Sequence, residues 1–129
     1  MELFTAQLAQ WRTVQQLNIP YLDTTIKSGL RYFSPTWEMV SGYKKKIITE
    51  EEYSAQYLEL MAGSQVKVPK AWEKLFTYDQ LCIMCYCRSG HFCHRHLLKD
   101  LIKDYAIEHN LSFSYGGEIV KDGILKNDE

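Results

Sequence analysis

Between Leu3 and Leu17 the apolar residues Phe4, Leu8, Trp11 and Val14 recur near helical spacing, with mostly polar or small residues between them, so the pattern predicts an amphipathic helix. Asn18 and the Ile19-Pro20 pair end it, because proline disfavours helix for the residue before it. The run IPYLDTTI, Ile19 to Ile26, is β-branched and aromatic and predicts a short buried strand ending near Asp23. Ser28 to Thr36 holds Gly29, Ser34 and Pro35 and reads as a loop, followed by a helical turn over Trp37 to Gly42.

Thr49 to Glu52 has the form of a capping box, in which the hydroxyl accepts from the N3 amide and the glutamate reaches back to the cap amide. It predicts a helix carrying Tyr53, Tyr57, Leu58 and Met61 as far as Gly63. Pro69 suits the first position of another short helix, with Trp72, Leu75 and Phe76 as its apolar face. Tyr78 to Tyr86 contains the near-continuous apolar run Leu81 to Cys85, which predicts a parallel strand covered on both faces and the centre of the sheet. A turn at Ser89 and Gly90 leads to the most regular helix, striped by His94, Leu97, Leu98, Leu101, Ile102, Tyr105 and Ala106. A strand near Leu111 to Tyr115, the Gly116-Gly117 pair, an apolar piece at Ile119 and Val120, and a polar tail from about residue 122 close the chain.

This order implies parallel strands joined by right-handed crossovers, hence an α/β domain with a small, open, mainly parallel sheet of about three to four strands flanked by helices. With 129 residues the chain fits one domain over its whole length. Ligands of such sheets bind beyond the carboxyl ends of the strands, where Asp23 to Thr25 and Cys87 to Gly90 would both lie.

Composition narrows the functions. Hydrophobic residues at 46% and charged residues at 24% describe an ordinary folded protein rather than a disordered one. No stretch approaches the about 20 apolar residues of a membrane span, and MELFTAQLAQW lacks the basic and apolar regions of a secretory leader. The expectation is a cytoplasmic protein with no membrane partner. A net charge of −1 with a single basic run, Lys44 to Lys46, argues against nucleic acid as a partner.

All four cysteines, Cys82, Cys85, Cys87 and Cys93, fall in one segment, CIMCYCRSGHFCHRHLL. A secreted disulfide framework would spread them, so the cluster points to catalysis, metal or redox chemistry. Strand alternation puts Cys85 and Cys87 on one face and Cys82 on the other, as a small core residue. About four amides at a helix start lack intrahelical partners and carry the positive end of the helix dipole, so anions bind there and nearby thiols ionise more readily. Cys87 and Cys93 are the candidate nucleophiles, with His94 or Asp23 to manage a proton. Arg88, Arg95, Lys27 and Arg31, with Cys85, Ser89 and Gly90, are the candidate ligand-binding residues. No cofactor or metal is expected; the alternative is zinc, held by Cys85, Cys87, Cys93 and His94, with His91 and His96 as further candidates. The aromatics Trp37, Tyr43, Tyr53, Tyr57 and Trp72 could line a pocket and are read by default as packing.

Cys85, the spacer YCRSGHF and then Cys93, His94 and Arg95, preceded by a strand ending in Leu22 and Asp23 with Lys27 and Arg31 behind it, resemble the signature of domain-of-unknown-function family 488. The stretch LDTTIKSGLRYFSPTWEMV is similar to its compact bacteriophage-type members, and the resemblance spans about Ile19 to Tyr115. The family spacer is commonly acidic and proline-containing, whereas here it holds Cys87, Arg88 and Gly90. Tyr86 to Gly90, YCRSG, also resembles the active-site loop of rhodanese-like domains, which implies a rhodanese- or flavodoxin-like architecture. Cys82, five residues and Arg88 match the spacing of cysteine phosphatases, but parity places Cys82 inside the strand. Together these features imply a pocket for an anionic small molecule, a nucleotide or nucleoside, with thiol-dependent catalysis. The alternatives are a non-catalytic protein that sequesters a host signalling nucleotide or a host protein, and a structural zinc domain.

Overall fold

The computed structural model describes residues 1–25, 31–86 and 92–126. Its chain opens with a strand, β1 (Glu2–Gln7), and not with the helix expected over Leu3 to Leu17. A single 3-10 turn (Leu8–Gln10) and the short helix α1 (Trp11–Gln16) follow. Leu3, Phe4, Thr5 and Ala6 are all buried, so β1 is covered on both faces and shows no alternation. A short apolar run of this kind cannot be told from a buried helix by periodicity alone, and here the spacing misled. Asn18, with φ of 58°, takes the left-handed conformation after α1 that asparagine tolerates at a helix end.

β2 (Tyr21–Asp23) is shorter than the predicted Ile19 to Ile26 but stops at Asp23 as expected. The helical turn expected at Trp37 is a full helix, α2 (Trp37–Lys44), capped by the Thr36 side chain on the Met39 amide. In α3 (Glu50–Lys67) the capping box is complete: the Thr49 hydroxyl accepts from the Glu52 amide and the Glu52 carboxylate from the Thr49 amide, each at 3.1 Å. Gly63 does not end that helix; Val68 does, and Pro69 then starts α4 (Pro69–Leu75). β3 (Gln80–Cys85), α5 (His94–Glu108), β4 (Ser114–Val120) and β5 (Gly123–Leu125) complete the chain. The Gly116-Gly117 pair lies inside β4, uniting what the pattern divided into a strand and a separate apolar piece.

Among the described residues the sheet has five strands in the order β2-β3-β1-β4-β5, one more than the expected upper count. β1 to β4 run parallel and only β5 is antiparallel, on β4. β1 therefore occupies the centre, and β3 is the interior strand beside it. Leu3, Leu81 and Ile83 face the larger core, packed with Tyr57 and Met61 of α3, Trp72 of α4, and Leu98 and Ile102 of α5. Phe4, Ala6, Cys82, Met84 and Ile119 face the other way, against Val14 of α1 and Ile19. Cys82 is wholly buried there, as its parity required, and burial pushes its thiol far above the usual range.

One irregularity positions a functional side chain. The β1–β4 register pairs Leu3 with Tyr115 but Phe4 with Gly117, so Gly116 is an extra residue in β4. A Cβ on Gly116 would collide with the Phe4 ring, and Gly117 has φ of 119° with its would-be Cβ against the Leu125 carbonyl. Two residues without side chains make this bulge possible. Residues 115 and 118 would point to opposite faces of a regular strand; the bulge turns both Tyr115 and Glu118 toward Thr5.

Candidate functional site

β3 delivers Cys85 at its carboxyl end, and α5 begins eight residues later with Cys93 as its N-cap and His94 in its first turn. β2 lies directly beside β3, with Asp23 opposite Met84, which brings Thr24 and Thr25 to the same sheet end. The structure joins the sulfurs of Cys85 and Cys93, whose Cα atoms are 7.7 Å apart. Three ligand-type atoms, the two sulfurs and a His94 ring nitrogen, lie within 4.8 Å of one another, and all three residues are buried.

The His94 tautomer follows from its partners. Nε2 is 2.9 Å from the Thr24 carbonyl oxygen, which can only accept, so Nε2 carries the hydrogen. The Thr24 hydroxyl, 3.0 Å from the same nitrogen, donates its own hydrogen to the Met84 carbonyl at 2.9 Å. Nδ1 is left with its lone pair, 3.8 Å from the Cys93 sulfur. Burial pushes the His94 pKa down to about 4, against the opposing effect of the Thr24 hydrogen bond. The imidazole is neutral at pH 7, and the Tyr57 ring packs on it at 5.6 Å.

Arg95 has no exposed surface. Its Nη2 donates to Glu118 Oε2 at 2.7 Å, its Nε to Oε1 at 3.3 Å, and its Nη1 to the Cys85 sulfur at 3.0 Å. The Thr5 hydroxyl donates to the same carboxylate, and Tyr115 in turn meets Thr5. A buried polar chain thus runs from Tyr115 through Thr5, Glu118 and Arg95 to Cys85.

Above this floor opens a cleft of about 360 Å³, within the range of small-molecule sites. Cys93 and His94 line its bottom; Trp37, Tyr43, Tyr53, Tyr86 and Phe92 form its walls, with Lys44 among them. Tyr43, Tyr53 and Phe92 pack against one another with ring centroids 5.2 to 5.8 Å apart. Trp37 and Tyr86, each 56% exposed, leave their rings open. Trp37, Val40 and Lys44 recur at helical spacing, so one face of α2 forms a wall.

The expected site residues have divided placements. Cys93 and His94 reach the cleft; Cys85 lies beneath them. Asp23 accepts from the Thr25 amide at 2.8 Å and hydroxyl at 2.7 Å, shaping the turn that carries the Thr24 carbonyl to His94. Arg95, expected to clasp an anion, is enclosed with Glu118. Arg31 is exposed and lines a separate groove with Tyr32, Gln56 and Glu59. His96, at the other side of α5's first turn, contributes to neither the cleft nor the three-residue cluster. Lys27, Cys87, Arg88, Ser89, Gly90 and His91 lie outside the described residues.

Sequence reasoning missed Glu118, Thr5, Tyr86 and Phe92; of the aromatics read by default as packing, Tyr53 is in the core and Tyr43 packs against it, and both also line the cleft with the exposed Trp37. The glycine pair beside an acidic residue in an apolar run was the available signal for Glu118. Among the described residues no helix is long and apolar enough to cross a membrane. A family model, DUF488-N3a, described as the active DUF488-N3 subclade, matches residues 7–106. No curated protein and no solved structure matches the chain.

Proposed function

The chain belongs to the DUF488-N3a family, and from that premise we propose that its cleft binds a nucleoside or nucleotide and presents it to the Cys93–His94 floor. The observation that carries the reading is the aromatic cleft opening directly over that pair. A nucleobase offers a flat π-face to Trp37 and Tyr86, and such stacking contributes about 1–3 kcal/mol per base. Lys44 supplies a cation for a phosphate. In the reduced chain Cys93 would present a thiol at the cleft floor, with Nδ1 of the neutral His94 3.8 Å from its sulfur. The description of the family's subclade as active accords with catalysis.

The test is calorimetric titration of the reduced protein with a panel of nucleosides and nucleotides, beside Trp37→Ala and Lys44→Ala. The expected result is saturable binding, weakened about tenfold or more by loss of the Trp37 ring, with Lys44→Ala selective for phosphorylated ligands. Absence of binding across the panel, or equal affinity in the Trp37 variant, would count against the reading. Ligand recovered intact after long incubation would assign the cleft to sequestration rather than turnover.

A further inference from the structure

We infer that Cys85, Cys93 and His94 form a three-ligand site for a thiolate-preferring divalent ion, zinc by its chemistry, whose fourth position faces the cleft. The inference rests on the cleft reading only for where that open position points; ion binding itself needs no nucleotide.

Four observations converge. The three ligand atoms lie within 4.8 Å of one another; the structure joins the two sulfurs, and once reduced they need part only to the about 3.8 Å that a tetrahedral zinc ion with Zn–S bonds of about 2.3 Å imposes. The Cα atoms of Cys85 and Cys93 stand 7.7 Å apart, beyond the roughly 4.4–6.8 Å that disulfides span. A backbone frame this wide suits two sulfurs drawn to a shared ion.

The surroundings are those of a prepared site. His94 donates Nε2–H to the Thr24 carbonyl, the outer hydrogen bond that metal-bound histidines make, and this leaves Nδ1 as the ligand atom beside Cys93. Arg95 donates to the Cys85 sulfur at 3.0 Å and is itself held by Glu118. Charge also balances: two thiolates with a divalent ion are neutral, and so is the Arg95–Glu118 pair. Two bare thiolates at the same buried place would leave two uncompensated charges. A thiol reductant first returns the joined pair to two thiols and is itself oxidised to a disulfide, and on metal binding the two thiol protons pass to solvent.

Cys93 and His94 line the cleft, whereas Cys85 lies behind them. Three protein ligands with the remaining position open to a pocket is the arrangement of catalytic rather than structural zinc. The ion, with its bound water, would then be the group that meets the cleft's ligand.

The experiment uses the full chain, reduced and dialysed against zinc alone, with metal measured by mass spectrometry and cobalt(II) as a spectroscopic substitute. One equivalent of zinc, intense visible bands of tetrahedral cobalt with sulfur charge transfer, and loss of both in Cys93→Ser and His94→Ala are expected. Trp37→Ala should keep its metal even if it loses nucleotide, which separates failure of this inference from failure of the cleft reading. Where a ligand variant fails to fold, thiol labelling of the parent decides: zinc should protect two cysteines from a maleimide. Less than a tenth of an equivalent in the reduced parent, octahedral-type cobalt spectra, or unprotected thiols would overturn the inference.

Discussion

Glu118→Gln removes one charge from the buried pair while keeping the side chain's size, so it isolates what the carboxylate does for Arg95. The carboxylate accepts two hydrogen bonds from Arg95 and one from Thr5, and the two side chains are 0% and 9% exposed. Glutamine retains one acceptor oxygen but turns an amide donor toward a guanidinium that can only donate. The variant therefore leaves a buried cation with one good partner fewer, a change that costs about 3–5 kcal/mol. Against a typical total of about 5–15 kcal/mol this is severe, and for a domain of this size it lowers the melting temperature by roughly 10–20 °C. Urea unfolding at pH 7 measures it. The double variant Arg95→Met with Glu118→Leu removes both charges and should recover at least half of the loss, because the penalty arises from the unpaired charge rather than from absence of the pair. A Glu118→Gln cost below about 1 kcal/mol, or a double variant as unstable as the sum of its single changes, would refute the account.

Two further outcomes are expected. Gly117→Ala should cost about 2 kcal/mol or more, because its backbone has φ of 119° and the new Cβ meets the Leu125 carbonyl; a neutral result in urea unfolding would mean the bulge is not strained against a side chain. In metal-free protein, stability should fall by about 3 kcal/mol between pH 6.5 and pH 4 on account of His94 alone. Its pKa drops from an ordinary 6.5 to about 4 in the fold, so the unfolded chain binds the extra proton in that window. The contribution is fully present above 6.5 and lost as pH falls through 4. Asp23, Arg95 and His96 are the charged neighbours that modulate it. A His94→Gln variant should show a flatter profile, and an unchanged slope would reject the assignment.

The elements legible in sequence were those specified by neighbours along the chain. Thr49 and Glu52 cap α3 because both partners lie within one turn, Pro69 starts α4 because its ring suits a helix start, and Cys82 parts from Cys85 because strand side chains alternate. The meeting of an apolar strand, a short turn and a helix opening at Cys93 was equally local. So were the Cys85, Cys93 and His94 candidates and the α/β class that the strand and helix order implies.

Tertiary structure decided what depends on residues far apart in the chain. β1 is a strand because β3 and β4 pair with it on either side, not because ELFTAQ differs much from a buried helical turn. Arg95 carries the same sequence signal whether it clasps a ligand or a carboxylate; only the bulge at Gly116 and Gly117, 21 or more residues away, brings Glu118 to it. Tyr43 and Tyr53 pack with the larger core and also wall the cleft, beside the exposed Trp37, because residues of α2, α3 and the α5 start arrive at the same end of the sheet. Local hydrogen bonds and steric preferences act within a few residues and can be read directly. Burial and charge pairing depend on which distant segments arrive at the same place, and that is settled only when the whole sheet has assembled.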